Sequence, residues 1–573
     1  MAKVGEVLVE MLVKAGVSRV WGVAGDSLNG ITDTIRRTDG IEWLHVRHEE
    51  AGAFAAGAEA HVTGKLAVCG GSCGPGNLHL INGLFDCHRS RVPVLVIAAQ
   101  IPSAEVGTSY FQETKPEHLF RDCSHYVELV SQPEQMPRIL GIAMRTAIAK
   151  RGVAVIVLSG DVALRDCPHA AIDLGILESN SVAYPSKPEI QKAASILNKG
   201  EKIAILGGAG CAGAHDQLMA AAKALKAPIV HAMRGKEFIE YDNPYDVGMT
   251  GLLGFSSGYH AMIECDVLLM LGTDFPYPQF YPTNAQIIQV DIRGEQIGRR
   301  CPVTLGLVGT VSGTLEELMP LIEVKEDSSY LEKCLEHYKS ARLSLDDLAV
   351  GEPGRRPIHP QYVAKVIDAL ATEGAVFSCD VGTPTIWAAR YLRMNGHRRL
   401  LGSFLHGSMA NALPQAMGVQ AAFPGKQVIT LSGDGGLAML LGDILTLRQL
   451  KLPVKIIVFN NASLGFVELE MKAAGMIDYA TDLDNPNFAE LATASGLLGI
   501  RVEAPEDLEF ALREALAFDG PALVDVVVNR QELSMPPSIT SEQVLGFSLY
   551  LLRAVMNGRG DEVIDLATTN LFR

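Results

Sequence analysis

The stretch that most limits what this chain can become runs from residue 431 to 466, LSGDGGLAMLLGDILTLRQLKLPVKIIVFNNASLGF. An apolar run over 427–431 reads as a buried strand entering Gly433-Asp434-Gly435-Gly436. A helical pattern follows, and a second apolar strand over 454–459 ends in Asn460-Asn461. Strand, helix and strand in this order make a parallel unit, so both strand ends reach one edge of a sheet. At that edge a helix N-terminus presents free N–H groups to phosphate. Asp434 offers a hard anionic oxygen, Asn461 a neutral one and the Ser463 backbone carbonyl a third, which leaves positions on Mg²⁺ for phosphate oxygens and water. The glycines let the backbone approach the ligand closely. A magnesium diphosphate site is expected, in preference to a plain turn with a polar loop.

The same alternation fills the rest of the chain, whose 573 residues suit several domains. Short apolar runs at 19–23, 42–46, 66–69, 94–98 and 154–158 predict one doubly wound parallel sheet. The polar, proline-bearing 178–188 reads as a linker. Runs at 203–206, 228–231, 267–271 and 287–290 predict a second domain. A charged stretch follows over 323–360, carrying a helix at 330–347. A third strand–helix alternation reaches Asn529. The expected fold class is α/β, with doubly wound parallel sheets in domains 1–183, 184–335 and 336–529 and a helical tail over 530–573.

The first and third segments also resemble each other. Each has a histidine (His48, His406), an alanine-rich helix, Gly-Lys and a strand, then a glycine turn (Gly74, Gly433) and a strand opened by a proline pair (Val92-Pro93, Leu452-Pro453). Duplication explains this economically. Only the second copy carries the acidic metal ligand, so the first is free to hold the other end of the same cofactor.

A formal net charge of −16 argues against a nucleic-acid surface and gives no pull towards anionic lipid. Ten scattered cysteines without CxxC pairs suit reduced thiols in a cytoplasmic core. The N-terminus reads as an amphipathic helix rather than a signal peptide, and no segment has the apolar length to span a bilayer. Gly208-Ala209-Gly210-Cys211-Ala212-Gly213 follows a strand but has no acidic residue ending the next one, so it is a weak dinucleotide motif. After Asn529, Val544, Phe547, Tyr550, Leu551, Ala554 and Val555 keep helical spacing, while Leu545, Leu549, Leu552 and Met556 fill much of the other side.

The Gly-Asp-Gly, twenty-four residues, Asn-Asn pattern resembles the diphosphate signature of thiamine diphosphate enzymes. RHEEAGAFAAGAEA, GSCGPGNLHLINGLFDCHRSRVPVL, YFQET, HAMRGKEFIEYDNPYDVGMTGLLGFSSG, GTPTIWAARYL, HGSMANALPQ and GRGDEVIDLA extend the likeness over the whole chain. It resembles the pyruvate oxidase, acetolactate synthase and pyruvate decarboxylase group, and within it the bacterial quinone-dependent pyruvate dehydrogenase flavoproteins.

That resemblance implies a glutamate, Glu49, bonded to a pyrimidine nitrogen of thiamine diphosphate. The imino form so favoured frees the thiazolium for attack on a 2-oxo acid. It implies that Met409 props the cofactor into a bent shape and that Gly407 and Ser408 contact the pyrimidine. Asp434, Gly435, Gly436, Asn461, Ala462, Ser463, Leu464, Gly465, Phe466 and Val467 hold diphosphate and metal, with Asp434, Asn461 and Ser463 as metal ligands. Phe466 and Gln112 are candidates for the substrate chamber, beside Phe111. Thr250, Gly251, Leu252, Leu253, Thr273, Asp274, Phe275, Pro276, Tyr277 and Asp291 match segments that hold FAD.

The function implied is oxidation of pyruvate to acetate and CO₂, with electrons passing through FAD to a membrane quinone. The tail is expected to cover the active site at rest and to bind phospholipid when the flavin is reduced. The enzyme would thus be cytoplasmic and reversibly bound to the inner face of the membrane. A homodimer is the expected minimum, with a tetramer above it. The rivals are a phosphate-dependent pyruvate oxidase, a carboligase of the acetolactate synthase type with structural FAD, and a catalytically silent protein on the same scaffold.

Overall fold

Apolar runs buried on both faces become the strands of three parallel sheets in the computed structural model, which describes residues 1–168, 171, 182–532, 541–557 and 559–570. Such runs are what a sheet covered by helices on both sides requires. The first sheet contains β1 (Arg19–Gly22), β2 (Glu42–His45), β3 (Ala67–Gly71), β4 (Val94–Gln100), β5 (Tyr126–Val130) and β6 (Val153–Ser159), in the order 2-1-3-4-6-5. The second contains β7 (Ile203–Gly207), β8 (Ile229–His231), β9 (Asp246–Met249), β10 (Val267–Leu271), β11 (Gln286–Asp291) and β12 (Leu305–Val308), in the order 12-11-10-7-8-9. The third contains β13 (Val376–Cys379), β14 (Arg399–Gly402), β15 (Val428–Gly433), β16 (Lys455–Asn460), β17 (Leu498–Val502) and β18 (Ala522–Val527), in the order 14-13-15-16-18-17.

The first and third orders are the same, strand for strand, as a duplicated domain requires. The middle sheet has the dinucleotide-binding order, whose switch point lies between β7 and β10.

In the first two domains three strands depart from the expectation: β5, β9 and β12 were not anticipated, and all three lie at sheet edges; of the third domain only β15 and β16 were placed by residue. β5 exposes Glu128 and buries only Val130 fully, β9 begins with Asp246 and contains Gly248, and β12 is short and half-covered. An edge strand needs apolar cover on fewer sides, so its pattern is weak. The charged stretch carries its helix at Ser329–Leu348, and the tail folds as Ser541–Met556 and Gly560–Asn570. The 178–188 linker and the start of the tail lie in part outside the described residues. All ten cysteines are unpaired and buried. Among the described residues no helix is long and apolar enough to cross a membrane.

The outer domains are joined by the two alanine-rich helices of the duplication, Glu49–Thr63 and Ala412–Ala422. Small side chains let them meet backbone to backbone: a Cβ on Gly418 would lie 2.0 Å from the Ala55 carbonyl oxygen. One apolar core therefore runs from Val94, Val96 and Val155 through Ala56 and Ala416 to Ile456 and Val458. Glu237, from the middle domain, closes the joint. Its carboxylate accepts from Arg399 at 2.7 Å and from the Leu400 N–H at 3.1 Å, with His61 of the first domain 3.5 Å away. Burial raises the Glu237 pKa, but the His61 and Arg399 partners outweigh it and hold the group down at about 2.

Gly418→Ala is expected to destabilise the protein by roughly 1–3 kcal/mol through overpacking at this crossing. Gly425→Ala, at an exposed glycine with open space around it, should leave stability within about 0.5 kcal/mol. Chemical denaturation of both variants beside the parent checks the pair.

Candidate active site

The turn between β15 and the short helix Asp434–Met439 carries the acidic ligand candidate. Asp434 is buried. Its Oδ1 accepts the Gly435 N–H at 2.9 Å, and its Oδ2 accepts the Ala462 N–H at 2.7 Å and the Asn485 amide at 2.8 Å. Burial pushes its pKa up, while those donors oppose the shift. Beyond β16, Asn461 Oδ1 accepts the Ser463 N–H at 3.2 Å, and Ala462 takes a left-handed φ of 53°. The loop then pairs with 481–483 through the carbonyls of Ala462 and Thr481, a ladder that leaves the Ser463 carbonyl out. A carboxylate, an amide oxygen and a backbone carbonyl form a hard oxygen set that fits Mg²⁺. Backbone room fits too: a Cβ on Gly435 would meet Leu464 at 3.0 Å and the Met409 Cε at 3.4 Å. Met409 thus sits over the turn, while Val467 is exposed on the helix Gly465–Ala473 that begins at its far side.

A second cluster forms where β2 ends. His48 caps the helix Glu49–Thr63 by accepting the Glu50 N–H, so Glu49 enters the first turn buried. Its Oε2 lies 2.8 Å from His79 Nδ1, and the His48 and His79 rings stack with centroids 4.4 Å apart. The other oxygen, Oε1, is 3.1 Å from where a Cβ on Gly76 would be, so glycine keeps that approach open. Gln112, at φ 62°, packs over Gly74 and accepts from the Cys73 thiol at 3.4 Å. Phe111 beside it is 78% exposed.

The two clusters meet within the chain through Asn82. Its amide donates to Glu50 at 2.8 Å and to the Ser408 hydroxyl at 2.9 Å, and its oxygen is 2.8 Å from His406 Nε2. Residues 407–409 are thereby seated against the first domain, whereas the Glu49 carboxylate bonds to His79 of its own domain.

The third feature is a cavity of about 1440 Å³ beside the middle sheet's switch point. Residues 250–253, 273–277 and Asp291 all line it, and so do Gly407 and Phe466, which ties it to the turn cluster. The Thr250 hydroxyl is buried without a partner among the described residues. Close packing between Gly208, Gly210 and Gly272 forms one wall: a Cβ on Gly210 would lie 2.6 Å from the Gly272 Cα. The far wall is the tail, with Val544, Phe547, Leu551 and Leu566.

Several residues here were not singled out from sequence. Arg91, Arg151, Arg234 and Arg293 line the cavity, beside Gly208, Ala209, Gly210 and Ala212 of the motif that the sequence had marked as weak. His79 stands in the quoted GPGNLHL segment, where its spacing of thirty residues from Glu49 hid the contact. Asn485 and Asp380 hold the turn from elements far away in the chain.

Comparison with known proteins agrees with this geometry. Three family models match: the thiamine pyrophosphate enzyme N-terminal TPP binding domain over residues 2–119, the central domain over 190–318 and the C-terminal TPP binding domain over 380–526. An uncharacterized 42.6 kDa protein of Pseudomonas amyloderamosa is 62% identical over 60% of this chain and 88% of its own length. The putative thiamine pyrophosphate-containing protein YdaP of Bacillus subtilis (strain 168) is 37% identical over 98% of both chains. The pyruvate oxidase of Lactiplantibacillus plantarum is 28% identical over 91% of this chain and 88% of its own. With all three domains matched and a relative similar from end to end, the chain belongs to the thiamine pyrophosphate enzyme family.

Proposed function

We propose that this enzyme oxidises pyruvate and water to acetate and CO₂ and passes the electrons through FAD to a membrane quinone. The observation that carries this reading is the continuity of the cavity: its lining joins the switch point of a dinucleotide-type sheet to Gly407 and Phe466 beside the diphosphate turn. An unpartnered Thr250 hydroxyl, a glycine wall and lining arginines suit a long ligand with a charged diphosphate. Similarity to a pyruvate oxidase favours pyruvate as the substrate.

When bound, thiamine diphosphate supplies an electron sink for decarboxylation and FAD an acceptor for an electron pair. The chain's part is placement. Asp434, Asn461 and the Ser463 carbonyl would hold Mg²⁺, and Met409, over the turn, would support the bound cofactor. Glu49, in contact with His79, would offer its carboxylate to the pyrimidine nitrogen. Because Glu49 bonds within its own domain, a second copy is proposed to bring its Glu49 to this copy's diphosphate turn, making a homodimer the minimum.

The tail suits a reversible cover. Tyr550 and Ala554 are fully buried against the body, and Arg559 holds Asp478 with two bonds of 3.0 Å. On the opposite side Leu545, Leu549, Leu552 and Met556 form an exposed apolar stripe at helical spacing. Such a stripe supports lipid contact through apolar burial.

Anaerobic mixing of the protein with pyruvate, Mg²⁺ and thiamine diphosphate is expected to bleach the flavin absorbance and release acetate. Acetyl phosphate or acetolactate as product would select one of the rival activities. Glu49→Gln should lower turnover by about 10²–10⁴-fold with the unfolding midpoint unchanged; parental turnover would remove Glu49 from the mechanism. Deleting the residues from Ser541 onward, which leaves Arg530 on Glu468, should raise basal activity and abolish stimulation by phospholipid vesicles, read in a quinone-reduction assay with and without lipid.

A further inference from the structure

Asp380 follows β13 and is buried, yet no cation pairs with it among the described residues. Its carboxylate is satisfied by backbone alone. Oδ1 accepts the N–H of Ala412 at 2.9 Å, and Oδ2 accepts the N–H of Gly433 at 3.1 Å. Burial raises its pKa to about 7, against the pull of those N–H donors. A carboxylate placed at that desolvation cost is usually offset by a partner charge.

What these bonds join is specific. Ala412 opens the helix that follows Met409, and Gly433 directly precedes Asp434. The fit between the two segments is tight: a Cβ on Gly436 would lie 2.5 Å from Asp380 Oδ2 and 3.3 Å from the Ala410 nitrogen. Asn411 braces the same junction, donating to the Cys379 carbonyl at 3.0 Å and accepting the Val381 N–H at 3.4 Å.

Resting on the thiamine diphosphate reading of this site, we propose that Asp380 is a positioning residue. It fastens the diphosphate turn to the Met409 segment, so that one buried carboxylate sets the distance between the two ends of the bound cofactor. Only a carboxylate can do this. An asparagine keeps one acceptor and turns an N–H₂ group towards the other backbone N–H.

The test compares Asp380→Asn with the parent by calorimetry, using Mg²⁺ with thiamine diphosphate and Mg²⁺ with inorganic pyrophosphate, the latter also read by displacement of the former. A clamp on both ends predicts thiamine diphosphate affinity lower by about 10–100-fold, as for other residues that orient a metal site from behind, with pyrophosphate affinity far less changed. Equal losses for both probes would reduce Asp380 to a support of the turn alone, and unchanged affinities would give it no part in binding; either outcome overturns the proposal. Should Asp380→Asn fail to fold, Asn411→Ser loosens the same junction from the Met409 side and must give the same selective loss. A parent protein that binds neither probe would instead overturn the cofactor reading itself.

Discussion

The backbone contact between the helices Glu49–Thr63 and Ala412–Ala422 is the constraint from which the rest follows. Two helices can come this close only where glycine and alanine face each other, as Gly418 does under the Ala55 carbonyl. Their N-terminal ends carry candidate site residues: Glu49 opens one, and residues 407–411 lead into the other. Fixing the crossing therefore fixes how the first sheet's ligand edge stands relative to the third's. The shared core on either side makes the two domains one packing unit rather than two bodies on a hinge.

Charge is then placed where packing alone would leave freedom. Glu237 ties the middle domain to both others, and Asp380 ties two loops of one domain. Glu468 gathers the Ser463 hydroxyl at 2.6 Å, Lys472 and Arg530 around one buried carboxylate beneath the loop that follows β16. Removing one partner of such a group leaves an uncompensated buried charge, which costs more than the pair itself contributes. These carboxylates act as pins whose value lies in geometry.

Much of this was legible in the sequence because the duplicated unit writes its pattern twice. Central strands such as β4 and β10 are buried from end to end and read as continuous apolar runs, and Asp434 and Asn461 stand at turns that glycine and paired asparagines announce. What escaped notice did so for physical reasons. β5, β9 and β12 lie at edges: half-covered positions in β5 tolerate Glu128, and β9, though buried, opens on Asp246 and contains Gly248. His79, Asn485 and Asp380 reach the site through folding, across thirty residues or more, and no local periodicity marks a side chain that acts on a neighbour's loop. The glycine motif at 208–213 was undervalued because it was weighed against an acidic partner on the next strand. The middle domain uses it as a wall of close backbone packing instead.

The cavity draws these elements into one line of argument. Its lining joins the middle sheet's switch point, Phe466 and the tail helices, which are held to the body through Arg559 and Tyr550. The tail's exposed stripe faces water, where apolar residues gain nothing, so the docked state keeps surface in reserve that only another apolar environment would reward. In the proposed function, lipid would meet this free stripe while the opposite face rests on the body. Two faces with different partners, on an element that also lines the cavity, would then couple what happens inside the cavity to lipid contact.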